Sequence, residues 1–138
     1  MRLLICGGRN YSNALHLCAV LNQLIAERGR PEMVIHGGAK GADSLADKWA
    51  RGHGIYTRVY HAAWRMGGRA AGPARNRIMI SDGQPDLVVV FPGGAGTRNM
   101  RQLALTAGIE VIDVEDVSDM QGNQGRGCIP DSERQQEQ

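Results

Sequence analysis

Lysine is almost missing from this chain: only Lys40 and Lys48 carry ammonium groups, and the rest of its 16 basic residues are arginines. Guanidinium forks suit paired hydrogen bonds to phosphate or carboxylate. A net charge of +2 is nevertheless too small for the electrostatic footprint of a nucleic-acid binder. Aromatic residues make up 4% of the chain, too few to line a single-stranded nucleic-acid groove with stacking platforms. Cysteine is scarce as well. Cys6, Cys18 and Cys128 are an odd set without a CxxC pair, which argues against a disulfide framework. With no signal peptide and no apolar run long enough to span a bilayer, the expected home is a reducing cytoplasm and no membrane partner is expected. Cys6 and Cys18 fall in apolar patterns and read as small core residues. The four histidines, His16, His36, His53 and His61, show neither HxH nor HExxH spacing, so no metal site is expected. No Ser/His/Asp or Cys/His set can be assembled by spacing either.

What the chain does have is apolar runs that break into glycine. Leu87 to Phe91 is short and β-branched, and reads as a strand buried on both faces. It stops at Pro92-Gly93-Gly94-Ala95-Gly96-Thr97. Pro92 cannot continue a ladder, while Gly93, Gly94 and Gly96 permit positive φ and close approach of a ligand to the backbone. Thr97 is the expected cap of a helix whose stripe is Met100, Leu103, Ala104 and Ala107 and whose stop is Gly108. Strand, glycine loop and helix N-terminus together suit an anion, because unpaired N–H groups and the helix dipole point at one place.

Two earlier units repeat the design. The strand Arg2 to Cys6 runs into Gly7-Gly8-Arg9 and then a helix, with Ser12 as the expected cap and Ala14, Leu17, Cys18, Leu21, Leu24 and Ile25 as its stripe. The strand Met33 to His36 runs into Gly37-Gly38-Ala39-Lys40-Gly41-Ala42-Asp43. Asp43 or Ser44 is then the expected cap of a helix with Leu45, Ala46, Trp49 and Ala50 facing inward. Neither loop spells GxxxxGK[ST] or GxGxxG. Further strands are expected at Ile55 to Tyr60 and Glu110 to Val114.

Strands alternating with helices predict a single α/β domain, an α/β/α sandwich of three layers around a five-stranded, mostly parallel sheet, over residues 1–117. At 138 residues the chain has room for one core that needs no staples. The glycine loops after the first, second and fourth strands must share the carboxyl edge of that sheet, where open α/β folds bind ligands. His36 and His61 also follow strands on that edge. The stretch from His61 to Arg77 holds four arginines and is long for a connection. It reads as a clamp or lid bringing guanidinium forks to phosphates, with Trp64 either anchoring it in the core or stacking on a base. Arg75, Asn76 and Arg77 are expected to open the following helix. Residues 118–138 are polar and read as a disordered tail.

Four motifs in order, Cys6-Gly7-Gly8-Arg9-Asn10-Tyr11, His36-Gly37-Gly38-Ala39-Lys40-Gly41-Ala42-Asp43, Gly72-Pro73-Ala74-Arg75-Asn76 and Phe91-Pro92-Gly93-Gly94-Ala95-Gly96-Thr97, resemble the YspA/YpsA-related branch of the SLOG superfamily. The resemblance covers residues 1 to about 114. It implies a Rossmann-like domain that binds nucleotides or nucleotide-derived signals, similar in fold to the Lonely Guy phosphoribohydrolases and to DprA, and a homodimer or larger homo-oligomer associating through helices such as the one carrying Thr97 and Met100. The expected ligand is therefore a phosphorylated nucleotide, or an ADP-ribose-like molecule, sensed or sequestered with no further cofactor. The expected contacts are Gly7, Gly8, Arg9, Gly37, Gly38, Lys40, Gly41, Asp43, Arg75, Asn76, Arg77, Pro92, Gly93, Gly94, Gly96 and Thr97. The alternatives are N-glycosidic cleavage, as in the phosphoribohydrolases, and single-stranded nucleic-acid binding, as in DprA. Against cleavage stands Met100, which falls where the Lonely Guy motif PGGxGTxxE has its glutamate. A thioether neither shuttles a proton nor stabilises an oxocarbenium-like centre. Asp43 and Arg75 are the remaining catalytic candidates, Asp43 also having the simpler reading of a helix cap.

Overall fold

The computed structural model describes residues 1–116. The tail from residue 118, its boundary and Cys128 lie outside the described residues. Strand β1 (Arg2–Cys6) leads to helix α1 (Ala14–Arg28), β2 (Met33–His36) to α2 (Ala42–Gly52), and β3 (Thr57–Val59) to α3 (Trp64–Gly67), a 3-10 turn (Gly68–Ala70) and α4 (Ala71–Ser81). Then β4 (Leu87–Val90), α5 (Ala95–Thr106) and β5 (Glu110–Asp113) complete the fold. The five strands form one sheet in the order β3-β2-β1-β4-β5. Every pairing is parallel, so the sheet is wholly rather than mostly parallel.

Side-chain alternation along the inner strands sorts the core onto two faces. Leu3 and Ile5 of β1 join Leu87 and Val89 of β4 under α1 and α2, where Leu17, Leu21 and Trp49 are fully buried. Leu4 and Cys6 join Val88 and Val90 on the opposite face, under Met79 of α4 and Met100 and Ala104 of α5. Trp49 anchors its helix by donating from Nε1 to Asn22 Oδ1 at 2.9 Å. Because Met100 is buried against the sheet at 1% exposure, it is not on a face that α5 could offer to a second copy. Among the described residues no helix is long and apolar enough to cross a membrane.

Several boundaries differ from those the sequence predicts. β3 shrinks from Ile55–Tyr60 to three residues at the sheet edge. Helix α1 is capped by Asn13, whose Oδ1 accepts the His16 N–H at 3.1 Å, and not by Ser12. Helices α2 and α5 start at Gly41 and Gly94 with no side-chain cap, so Asp43, Ser44 and Thr97 do not cap them. Most of the predicted loop from His61 to Arg77 is helical: α4 opens at Ala71, four residues before Arg75. Its proline is tolerated because a first-turn N–H has no intrahelical partner to lose.

Candidate functional site

Strand order reverses between β1 and β4. The chain winds outward from β1 to β3 and then returns to the other side of β1. Cys6 and Val90 are register partners, so the loops after β1 and β4 leave the sheet side by side and open a crevice at its carboxyl edge. They are bolted together: Phe91 N–H donates to Cys6 C=O at 2.8 Å and Gly8 N–H to Pro92 C=O at 2.8 Å. Gly93 lies so close to the Gly8 nitrogen and Thr97 Oγ1 that no Cβ would fit there. None of Gly93, Gly94 and Gly96 has positive φ. These glycines therefore serve close approach and an open surface rather than a left-handed turn.

The crevice is a cleft of about 860 Å³, within the range of small-molecule sites. Its floor and one wall come from residues 6–13, the other wall from Pro92 to Thr97, and its roof from Trp64, Arg69, Gly72, Pro73, Arg75 and Asn76. At one end the first turn of α5 faces the cleft with its N–H groups uncapped by any side chain. Gly93, Gly94, Ala95 and Gly96 around it are exposed, and a Cβ built at Gly94 or Gly96 meets nothing within 4 Å. Asn76, 3% exposed, fixes α4 to this turn by donating from Nδ2 to Gly96 C=O at 3.2 Å and to Asn99 Oδ1 at 2.9 Å.

Arg75 enters from α4, half-buried. Its Nη1 donates to Gly37 C=O at 2.7 Å and to Tyr60 C=O at 3.3 Å, and its Nε to Asn76 Oδ1 at 3.0 Å. Its Nη2 meets no acceptor among the described residues. Loss of water lowers its pKa, the cation Arg9 adds to that, and the charge of Asp43 opposes it. It remains a cation at neutral pH. Asp43, 6% exposed, turns its Oδ2 back to accept the Gly37 N–H at 3.1 Å and the Ala39 N–H at 3.3 Å. Burial pushes its pKa up, against the pull of those bonds and of the Arg75 charge.

Of the expected contacts, Gly7, Gly8, Arg9, Asp43, Arg75, Asn76, Pro92, Gly93, Gly94, Gly96 and Thr97 line the cleft, whereas Gly37, Gly38, Lys40, Gly41 and Arg77 do not. The loop after β2 starts one strand away from the reversal, so it reaches the cleft only through Ala39 and Asp43. Gly41 instead packs against the backbone of Gly8 and Arg9 with φ +78. Lys40 and Arg77 point to solvent. His36 is occupied structurally: its Nδ1 accepts the Gly38 N–H at 3.0 Å, which places the ring proton on Nε2, 2.8 Å from Asp47 Oδ1. Asn10, from the first glycine motif, and Arg69, from the predicted clamp, also line the cleft, as do Asn13, Asn99 and Asp116, which the sequence pattern does not mark as contacts. Asn13 follows the Gly7-Gly8 loop closely and Asn99 lies one helical turn beyond Gly96, and that spacing is the signal that places these two at the cleft.

Comparison with known proteins adds two findings. Residues 1–67 match the family described as YspA, cpYpsA-related SLOG. The chain is also similar to the Gene 61 protein of Mycobacterium phage D29, with 34% identity over 122 residues that cover 83% of this chain and 97% of the relative.

Proposed function

The chain belongs to the YspA, cpYpsA-related SLOG family, and from that premise we propose that it binds a phosphorylated nucleotide or a nucleotide-derived signal, as a sensor or sequestering protein. The observation that carries this reading is the uncapped first turn of α5 opening on the cleft through an exposed glycine loop. A phosphate there takes N–H groups that nothing else satisfies, with the helix dipole behind them. Arg75 Nη2 and the exposed Arg9 supply further donors. Charge-assisted hydrogen bonds contribute roughly 1.5–3 kcal/mol each, so three of them, less the cost of association, correspond to affinity near micromolar.

Binding is favoured over glycosidic cleavage by the state of the acids. Met100 fills the position where a carboxylate would be needed and lies in the core. Asp43 spends one oxygen on two backbone N–H groups, which suits a structural part better than proton transfer. Calorimetry over a panel of nucleoside phosphates tests the reading. Wild type binds one class near micromolar, and Gly94→Val, whose Cβ meets no protein atom within 4 Å, folds normally and loses that binding at least tenfold. No binding by wild type, or equal binding by the valine variant, overturns the assignment.

A further inference from the structure

We propose that Trp64 is the platform on which the nucleotide's heteroaromatic base stacks, taking a seat that the Arg9 guanidinium holds in the unliganded protein. This rests on the reading that the cleft holds a nucleotide. The two tryptophans have opposite fates: Trp49 is fully buried, whereas Trp64 is 47% exposed and lines the cleft. Trp64 is therefore not a core anchor. Its six-membered ring lies against the backbone of α4 at Gly72, where an added Cβ would come within 3.0 Å of the indole. The Arg9 guanidinium carbon stands 5.1 Å from the centroid of that ring. Arg9 is exposed and has no hydrogen bond or ion pair among the described residues, so nothing but the ring holds it there.

Spacing along α4 sets the ligand's span. Gly72, under the indole, and Asn76, tied to the first turn of α5, are separated by four residues, about 6 Å along the helix. That is the reach of a ribose between a base and its 5′ phosphate. Stacking of a base on an aromatic ring is stronger than an exposed cation–π contact. The exchange is thus downhill, and the displaced guanidinium is released toward the phosphates.

The test is a titration of tryptophan fluorescence with adenosine 5′-diphosphate and 5′-monophosphate, with ribose 5-phosphate and pyrophosphate as base-free controls and calorimetry in parallel. The nucleotides quench the exposed indole, and the base-free phosphates bind without quenching. Trp64→Ala weakens nucleotide binding by roughly tenfold or more and leaves ribose 5-phosphate binding unchanged. Trp64→Phe restores most of the affinity while abolishing the quench, which a merely structural role for the side chain would not do. Gly72→Ala, whose Cβ would stand 3.0 Å from the indole and displace it slightly, weakens nucleotide binding less than Trp64→Ala does. If nucleotides and base-free phosphates bind equally, or Trp64→Ala matches wild type, the platform is wrong and the phosphate site stands. If none of the probes binds, both readings fall.

Discussion

An aspartate in the first turn of a helix ordinarily accepts the helix's own free N–H groups. Asp43 instead reaches backward over the loop after β2, and this makes its removal informative. Asp43→Ala leaves the N–H groups of the buried Gly37 and the half-buried Ala39 without an acceptor, a cost of about 2–6 kcal/mol at roughly 1–3 kcal/mol each. Asp43→Asn keeps an oxygen for both donors and costs less than about 1 kcal/mol in urea unfolding. The pH dependence has a definite sign. Burial raises the Asp43 pKa in the folded state, so its contribution to stability is fully present below the unfolded value, near 3.8, and is lost as pH rises through the folded one. The difference in stability between wild type and Asp43→Asn therefore moves in favour of wild type as pH falls from neutrality toward the carboxylate range. Asp47 serves as a control of opposite sign. Its partial burial pushes the other way, but hydrogen bonds from His36 and Arg51 hold its pKa below the ordinary value, so Asp47→Asn costs most at neutral pH. A pH-independent difference for Asp43→Asn would show that the carboxylate is not strained by burial.

Glycine-rich stretches look alike in a sequence, and the elements around them separate their roles. Gly41, the residue before α2, has φ +78 and sits where a Cβ would collide with the backbone of Gly8 and Arg9. Gly94, the residue before α5, has negative φ and open space. Gly41→Ala is thus expected to lower stability by about 2 kcal/mol or more, from strain plus overlap, while Gly94→Ala stays within about 0.5 kcal/mol of wild type. Chemical denaturation of the two variants side by side checks this, and equal stabilities would remove the distinction. The same contrast shows what was legible at this scale. The buried strands β1, β2 and β4 announce themselves as short apolar runs that lead into glycine-rich loops. The cap of α1 does not, because Ser12 and Asn13 are both good capping residues and only the backbone path, which turns Asn13 Oδ1 onto the His16 N–H, chooses between them. Helix α4 was hidden for a different reason. Gly72-Pro73 reads as a break, yet Gly72 is where Trp64 lies against the helix and Pro73 needs no hydrogen-bond partner in a first turn.

At the scale of the whole molecule, alternation of strands and helices leaves few ways to build the sheet, so the loops after β1, β2 and β4 had to emerge on one edge. Which of them would border the cleft depends on strand order, and that is fixed by tertiary packing rather than by any one segment. Hence the loops after β1 and β4 border the cleft, while the loop after β2 reaches it only through Ala39 and Asp43. That order also ties the cleft to global stability. A ligand lying between residues 6–13 and Pro92–Thr97 bridges loops that the protein itself joins at Gly8–Pro92 and Phe91–Cys6, and it does so only in the folded state. By mass action a ligand at a thousandfold excess over its dissociation constant adds about 4 kcal/mol. In a domain of 116 described residues, each kcal/mol moves the midpoint by roughly 3–6 °C. Millimolar nucleotide at micromolar affinity should therefore raise the thermal midpoint by about 12–24 °C. Inorganic phosphate, which can occupy only the end of the cleft at α5, should raise it by much less. Thermal unfolding followed by circular dichroism decides between them: equal shifts for phosphate and nucleotide would confine the site to the first turn of α5, and no shift with any nucleotide at millimolar concentration would mean that the cleft holds none of them.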